Sequence, residues 1–201
     1  RYTAGTATHY HASVITGEPT YQHLARDFVI GTRFHSAPVI RFADAKPFHL
    51  GHSIKADGRW RLFLFADPAD PGEACSELSR LCKFLETSPE SPIRIYTPAD
   101  SDVDSVFDIR AVFQQGHCDL RLEAIPTLLI PRKGRFGLID YEKIFCPALG
   151  RDSDIFDIRR IDRVGGCIVL VRPDQYISHV LPLSAHLELG NFFHQFMRRQ
   201  S

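Results

Sequence analysis

The 201 residues contain no Cys-x-x-Cys pair, no Gly-x-Gly-x-x-Gly, no P-loop and no Gly-x-Ser-x-Gly elbow. Each gap removes a class of chemistry. Without the paired cysteines there is no dithiol for thioredoxin-type exchange, and without the glycine-rich loops nucleotide phosphates have no backbone cradle. Without the elbow there is no exposed hydrolase serine. No apolar run approaches the ~20 residues that span a bilayer, so no membrane partner is expected. No signal-peptide core follows Arg1, and the chain opens without Met, as a piece of a longer polypeptide would. Charge of one sign is not in excess. Lys plus Arg number 24 and Asp plus Glu number 24, which gives no electrostatic case for nucleic acid or an anionic surface. Cysteine is sparse and odd in number, five at irregular spacings, favouring reduced thiols and a cytoplasmic setting over a disulfide framework.

What is present suits one globular domain with a sizeable core: 44% hydrophobic and 24% charged residues. Residues 1–35, opening "RYTAGTATHYHASVITGEPT", are rich in Thr, Gly and β-formers and read as an extended arm. The body is expected over 36–201. "RWRLFLFAD" (59–67) is apolar on both faces, as a central strand is. Leu78, Leu81, Cys82 and Leu85 then fall at i, i+3, i+4 and i+7, predicting a helix that ends near Thr87. "PIRIYTPA" reads as the next short strand, closing a right-handed βαβ unit. "DSVFDIRAVFQQ" has helical periodicity. "IPTLLIPRKGRFGLIDYEKIF" reads as strand, turn at Lys133-Gly134, strand. Cys167 to Val171 and Tyr176 to Leu181 flank a Pro173-Asp174 turn, the pattern of a hairpin. A helix from Ala185 to Arg199 follows, with Leu187, Phe192, Phe193 and Phe196 expected to pack on Ile168, Leu170 and Val180. A βαβ half and a ββα half around an irregular insert make the thioredoxin-like α/β layout.

Candidate chemistry is thin. Cys75 and Cys82 are two helical turns apart, about 10 Å by helical rise, too far to bridge. His9 with His11 and His49 with His52 lack a Cys or carboxylate partner at metal-site spacing. Arg159, Arg160, Asp162 and Arg163 read as a salt-bridged rim, and the acidic run Asp100 to Asp104 as a solvated loop. No catalytic, cofactor-binding or metal-ligating residue is assigned.

Four stretches carry a resemblance: "SAPVIRFADAKPFHLGHSIKADGRWRLFLFAD", "IPTLLIPRKGRFGLIDYEKIF", "IFDIRRIDRVGGCIVLVRPDQYISHVLPL" and the Phe-rich final helix. Together they resemble the C-terminal domain of the phenol hydroxylase family, flavin-dependent aromatic monooxygenases. The resemblance implies a thioredoxin-like fold without the redox pair, joined by the 1–35 arm to a flavin and substrate part. It also implies a homodimer, and a parent enzyme that uses FAD, NADPH and O2. The competing reading is a free-standing thioredoxin-like thiol oxidoreductase or peroxidase. For self-association, the insert offers Phe136, Tyr141 and Phe145 as aromatic anchors.

Overall fold

The computed structural model describes residues 7–148 and 153–199. Its strands are β1 (Pro38–Arg41), β2 (Lys46–His49), β3 (Trp60–Phe65), β4 (Phe107–Val112), β5 (Arg132–Lys133), β6 (Leu138–Ile139), β7 (Ile144–Pro147), β8 (Cys167–Val171) and β9 (Ile177–Leu181). Its helices are α1 (Glu77–Thr87), α2 (Pro92–Tyr96), α3 (Ile155–Ile158) and α4 (His186–His194). Seven strands form one sheet in the order β2-β1-β7-β4-β3-β8-β9, and β5 pairs only with β6 in a separate two-stranded ribbon. β3 runs parallel to β4 and antiparallel to β8, which runs antiparallel to β9. With α1 between β3 and β4, and α4 after β9, this is the thioredoxin-like arrangement, extended by β7, β1 and β2.

The expected first strand and helix are where the pattern put them. β3 is buried on both faces. In α1, Leu78, Leu81, Cys82 and Leu85 are the buried stripe, and Ser76 caps the start by accepting from the Ser79 N–H. The next two elements are exchanged relative to expectation. "PIRIY" is helix α2, not a strand: Pro92 sits at the first helical position, where a missing N–H costs nothing. The strand that closes the βαβ unit is β4, in the stretch read as helical. Its Phe107, Ile109 and Ala111 pack on the helical face, while Asp108 and Arg110 hold the alternate positions. Those charges are paired inside the protein, so the usual apolar–polar alternation does not mean an exposed face here.

The sheet is covered on both sides. α1, α2, α4 and the 120–130 segment bury one face. The other is covered by Ala25, Phe28, Ile30 and Phe34 from the N-terminal segment, with Leu50 and α3. That segment is not a plain extended arm: Pro19–Leu24 form a 3-10 helix, and Ala25, Phe28, Ile30 and Phe34 are core. Phe28, Phe34 and Phe63 form a stack with ring centroids 4.9 and 4.7 Å apart. The segment also closes the sheet edge at β9. Gly31 N–H donates to Ile177 O, Ile177 N–H to Thr32 O and Gly17 N–H to Ser178 O. At the opposite edge β2 carries Lys46 and Pro47, which discourage strand addition.

The terminal hairpin and helix correct three expectations. Regular helix ends at His194, and Phe196 and Met197 follow only partly buried. Leu187 is 62% exposed. It lies two residues from Leu189, about 200° around the helix, and so faces away from the sheet. Val180 lies on the sheet face opposite α4, with Val169 and Val171, and Leu181 takes the place expected for it. An irregularity between Leu170 and Val171 shifts the pairing from His179 to Ile177, so Ile177 and Val180 share a face despite their odd spacing.

Phe193 is fully buried, with ring centroids 4.9 Å from Phe107 and 5.3 Å from Trp60. Phe193→Ala is therefore expected to cost ~3–5 kcal/mol, a fall in Tm of roughly 6–20 °C for a chain this size. Leu187→Ala should stay within about 0.5 kcal/mol of the parent. Thermal unfolding followed by circular dichroism checks both, and equal losses in the two variants would contradict the docking described.

Candidate functional site

Among the described residues, the thiols do not assemble. All five cysteines are free; Cys82, Cys146 and Cys167 are buried, Cys75 and Cys118 exposed. Burial pushes the Cys146 thiol up to about 12 and raises Cys82 and Cys167 as well. Cys75 immediately precedes the α1 cap but is also raised, chiefly by its hydrogen bond to Glu73. Nucleophilic thiols shift in the opposite direction. Cys118 lies 3.4 Å from His117 Nε2. The histidine pairs are near neighbours, with centroids 6.0 Å apart for His9 and His11 and 5.6 Å for His49 and His52. No group of three or more potential metal ligands occurs among the described residues. His9 Nε2 instead lies 3.0 Å from Ile30 O. The arginine-rich stretch is paired: Arg160 with the distant Asp27 of the N-terminal segment, and Arg163 locally with Asp154 and Asp157 at 2.7 and 3.0 Å.

The insert, in contrast, is built for presentation. The β5–β6 ribbon turns at Gly134 and Gly137, both at positive φ, with open space where a Cβ would stand. These glycines serve the backbone, not packing. At the tip Phe136 is 83% exposed and Leu138 70%, with Ile139 and Tyr141 at the threshold of exposure. Among the described residues, four of the eleven exposed large apolar side chains thus fall within six positions. Phe145, expected among these anchors, is instead fully buried in β7, its ring stacked on Phe48.

The ribbon is held by ions. Lys133 on β5 reaches Asp104 at 2.8 Å and Asp140 at 3.1 Å, and Gly134 N–H donates to Asp102. Behind it Lys143 donates to Asp104 and Asp108, both at 2.6 Å. Asp108, fully buried on β4, also meets Arg110 at 2.9 Å and Arg61 at 3.1 Å. Arg59 joins Asp104 to Asp57. Asp104, expected in a solvated loop, is in fact the junction between sheet and ribbon. Asp100 and Asp102 of the same acidic run are exposed, so nothing local separates Asp104 from them.

Burial opposes ionisation of Asp104, but Lys133 and Lys143 outweigh it and hold its pKa at about 2. Burial likewise opposes ionisation of Asp108 and Asp140, and their cationic neighbours still keep both low. A carboxylate with a depressed folded-state pKa contributes stability above its unfolded value of ~3.9, and that contribution is lost as pH falls toward the folded value. Tm should therefore change little from this source down to about pH 5 and drop between about pH 4 and pH 2. Asp104→Asn should lower Tm at neutral pH and flatten that drop. Parallel curves for parent and variant down to about pH 2 would show that Asp104 is not held in this way.

The model of the phenol hydroxylase C-terminal dimerisation domain matches residues 8–201. The 3-hydroxybenzoate 4-monooxygenase of Comamonas testosteroni is 52% identical over 199 residues, covering 98% of this chain and 31% of that protein. An FAD-dependent monooxygenase of Aspergillus terreus is 30% identical over 203 residues, covering 99% and 33%. The chain thus spans about a third of the length of these curated relatives. Among solved structures, a mutant of PrxQ from Xylella fastidiosa aligns at 10% identity over 90% of this chain and 92% of that one, with a TM-score of 0.37. With the family model matching from residue 8 to the last residue, this chain belongs to the phenol hydroxylase C-terminal dimerisation domain family.

Proposed function

We propose that this chain is the dimer-forming C-terminal domain of an FAD-dependent aromatic hydroxylase and performs none of the hydroxylation itself. The family match carries the reading. In the intact cytoplasmic enzyme, the remaining polypeptide would bind FAD, draw reducing equivalents from NADPH and place one oxygen atom of O2 on a phenolic ring. Residues 1–35 would lead in from that part, with the portion from Ala25 docked on the body at 36–201.

The start of α1 does not fit a flavin. A flavin's pyrophosphate needs free amides at a helix start. At α1 those amides are already engaged: Leu78 N–H donates to the Asp67 carboxylate at 3.1 Å and Ser79 N–H to Ser76 Oγ at 3.2 Å. An anion there would meet Asp67 rather than open donors. The same position is where a thioredoxin-like oxidoreductase keeps its reactive thiol, and here it holds Ser76 and a carboxylate. The raised thiols elsewhere weigh further against the oxidoreductase or peroxidase reading.

Two outcomes test this. Purified chain mixed with FAD and desalted should be colourless, and stoichiometric retained flavin absorbance would overturn the claim that it carries no cofactor site. In sedimentation equilibrium the chain should behave as a dimer at high concentration and dissociate on dilution. A monomer at every concentration up to the millimolar range would overturn self-association of the domain.

A further inference from the structure

We infer that two copies of this chain pair through their β5–β6 ribbons, each Phe136 entering a groove beside the other copy's ribbon. The inference rests on the dimerisation reading and names its surface. The groove, about 410 Å³, is lined mainly by Val103, Leu128, Ile130, Pro131 and Ile139, with Glu86 and Arg132 among its polar lining. It is mostly apolar, and its wall includes both β5 and β6.

Four observations favour a second copy as its occupant. The first is self-complementarity. A two-fold interface must carry knob and hole on one surface, so that each copy gives and receives the same contact. Phe136 stands three residues from Ile139, ~10 Å along an extended chain. Two ribbons lying antiparallel would put each tip on the other's groove. The second is charge. Arg135 flanks the Phe136 knob, 5.9 Å from its ring centroid, and Glu86 flanks the groove, so the pairing brings opposite charges together twice. The third is rigidity. The tip is tied down by the Lys133 ion pairs and the Asp102–Gly134 hydrogen bond, so little ordering remains to be done on association. The fourth is the state of the sheet edges. β9 is covered by the N-terminal segment and β2 carries Pro47, which leaves strand addition a poor route to a dimer.

Area sets the extent of the contact. An aromatic side chain buries ~150–250 Å², so two Phe136 rings supply at most about 500 Å² of the ~1,200–2,000 Å² typical of a stable interface. Leu138 and Tyr141 must therefore lie inside the contact, with Arg135 and Glu86 at its rim.

Sedimentation equilibrium of the whole chain tests the pairing. Phe136→Asp should weaken the dimer about tenfold or more while leaving the Tm of the dilute, monomeric chain unchanged, since the side chain is exposed in the single copy. Arg135→Glu and Glu86→Arg should each weaken it several-fold. Combined in one chain, the two reversals should restore most of the lost affinity, because the pair is re-formed with opposite sense. Dimerisation indifferent to Phe136→Asp, or reversals whose losses simply add, would overturn this surface while leaving the dimerisation reading standing. A wild-type chain that never dimerises would overturn the reading itself, and the inference with it.

Discussion

Asp108 is a carboxylate with no solvent exposure on an inner strand of the sheet, and much of the molecule is arranged to keep it charged. An isolated ion in that position would be strongly unfavourable, and it persists only where cations and hydrogen bonds replace water. Arg61 comes from β3, Arg110 from β4 itself and Lys143 from the turn before β7. Satisfying one group therefore positions three neighbouring strands. Lys143 also meets Asp104, which in turn binds Lys133 on the ribbon. The apolar tip thus inherits its position from a buried carboxylate three ion pairs away.

This arrangement separates two tasks within one small domain. Packing on both sheet faces supplies cohesion, with aromatic contacts on each: Phe28, Phe34 and Phe63 on one, Trp60, Phe107 and Phe193 on the other. The ion network supplies placement. Coulombic pairing of buried groups is weak evidence for net stability but a good source of specific geometry, since a misplaced partner leaves a charge unpaired. The helix start that could serve an anion or a thiol is closed by Asp67 and Ser76. What remains exposed and apolar is concentrated at the ribbon.

Much of this was legible in the residues. The i, i+3, i+4, i+7 leucines of α1, the dense apolar run of β3 and the Pro173-Asp174 turn of the terminal hairpin each report local physics strong enough to survive folding. The failures share one cause. "PIRIY" and "VFDIRAVF" were assigned by apolar content and period, but a proline at a helix start and a charged pair inside a buried strand override those signals. Val180 was assigned to the wrong face because an irregularity in β9 changes the alternation without changing the sequence pattern. Phe136 and Tyr141, read from the sequence as aromatics of the insert free to face outward, are exposed. Phe145, four residues beyond Tyr141, could not be told from them, because only the pairing of β7 with β4 and β1 buries it.

The sequence by itself determined the fold class, the family and the absence of the motifs that bind nucleotides or exchange disulfides. These depend on residue identity and short spacing, which are present in the chain before it folds. Tertiary structure alone decided which charges lie inside, which aromatics face solvent and where the ribbon stands. Asp102 and Asp104 are alike as letters, two residues apart in one acidic run. One caps an exposed turn and the other joins three cations at 2.6–3.1 Å, because the approach of β5, of the turn before β7 and of the residue before β3 brings those cations in from about 30 to 45 residues away. Burial is a property of the whole chain's path, and no window of local sequence contains it.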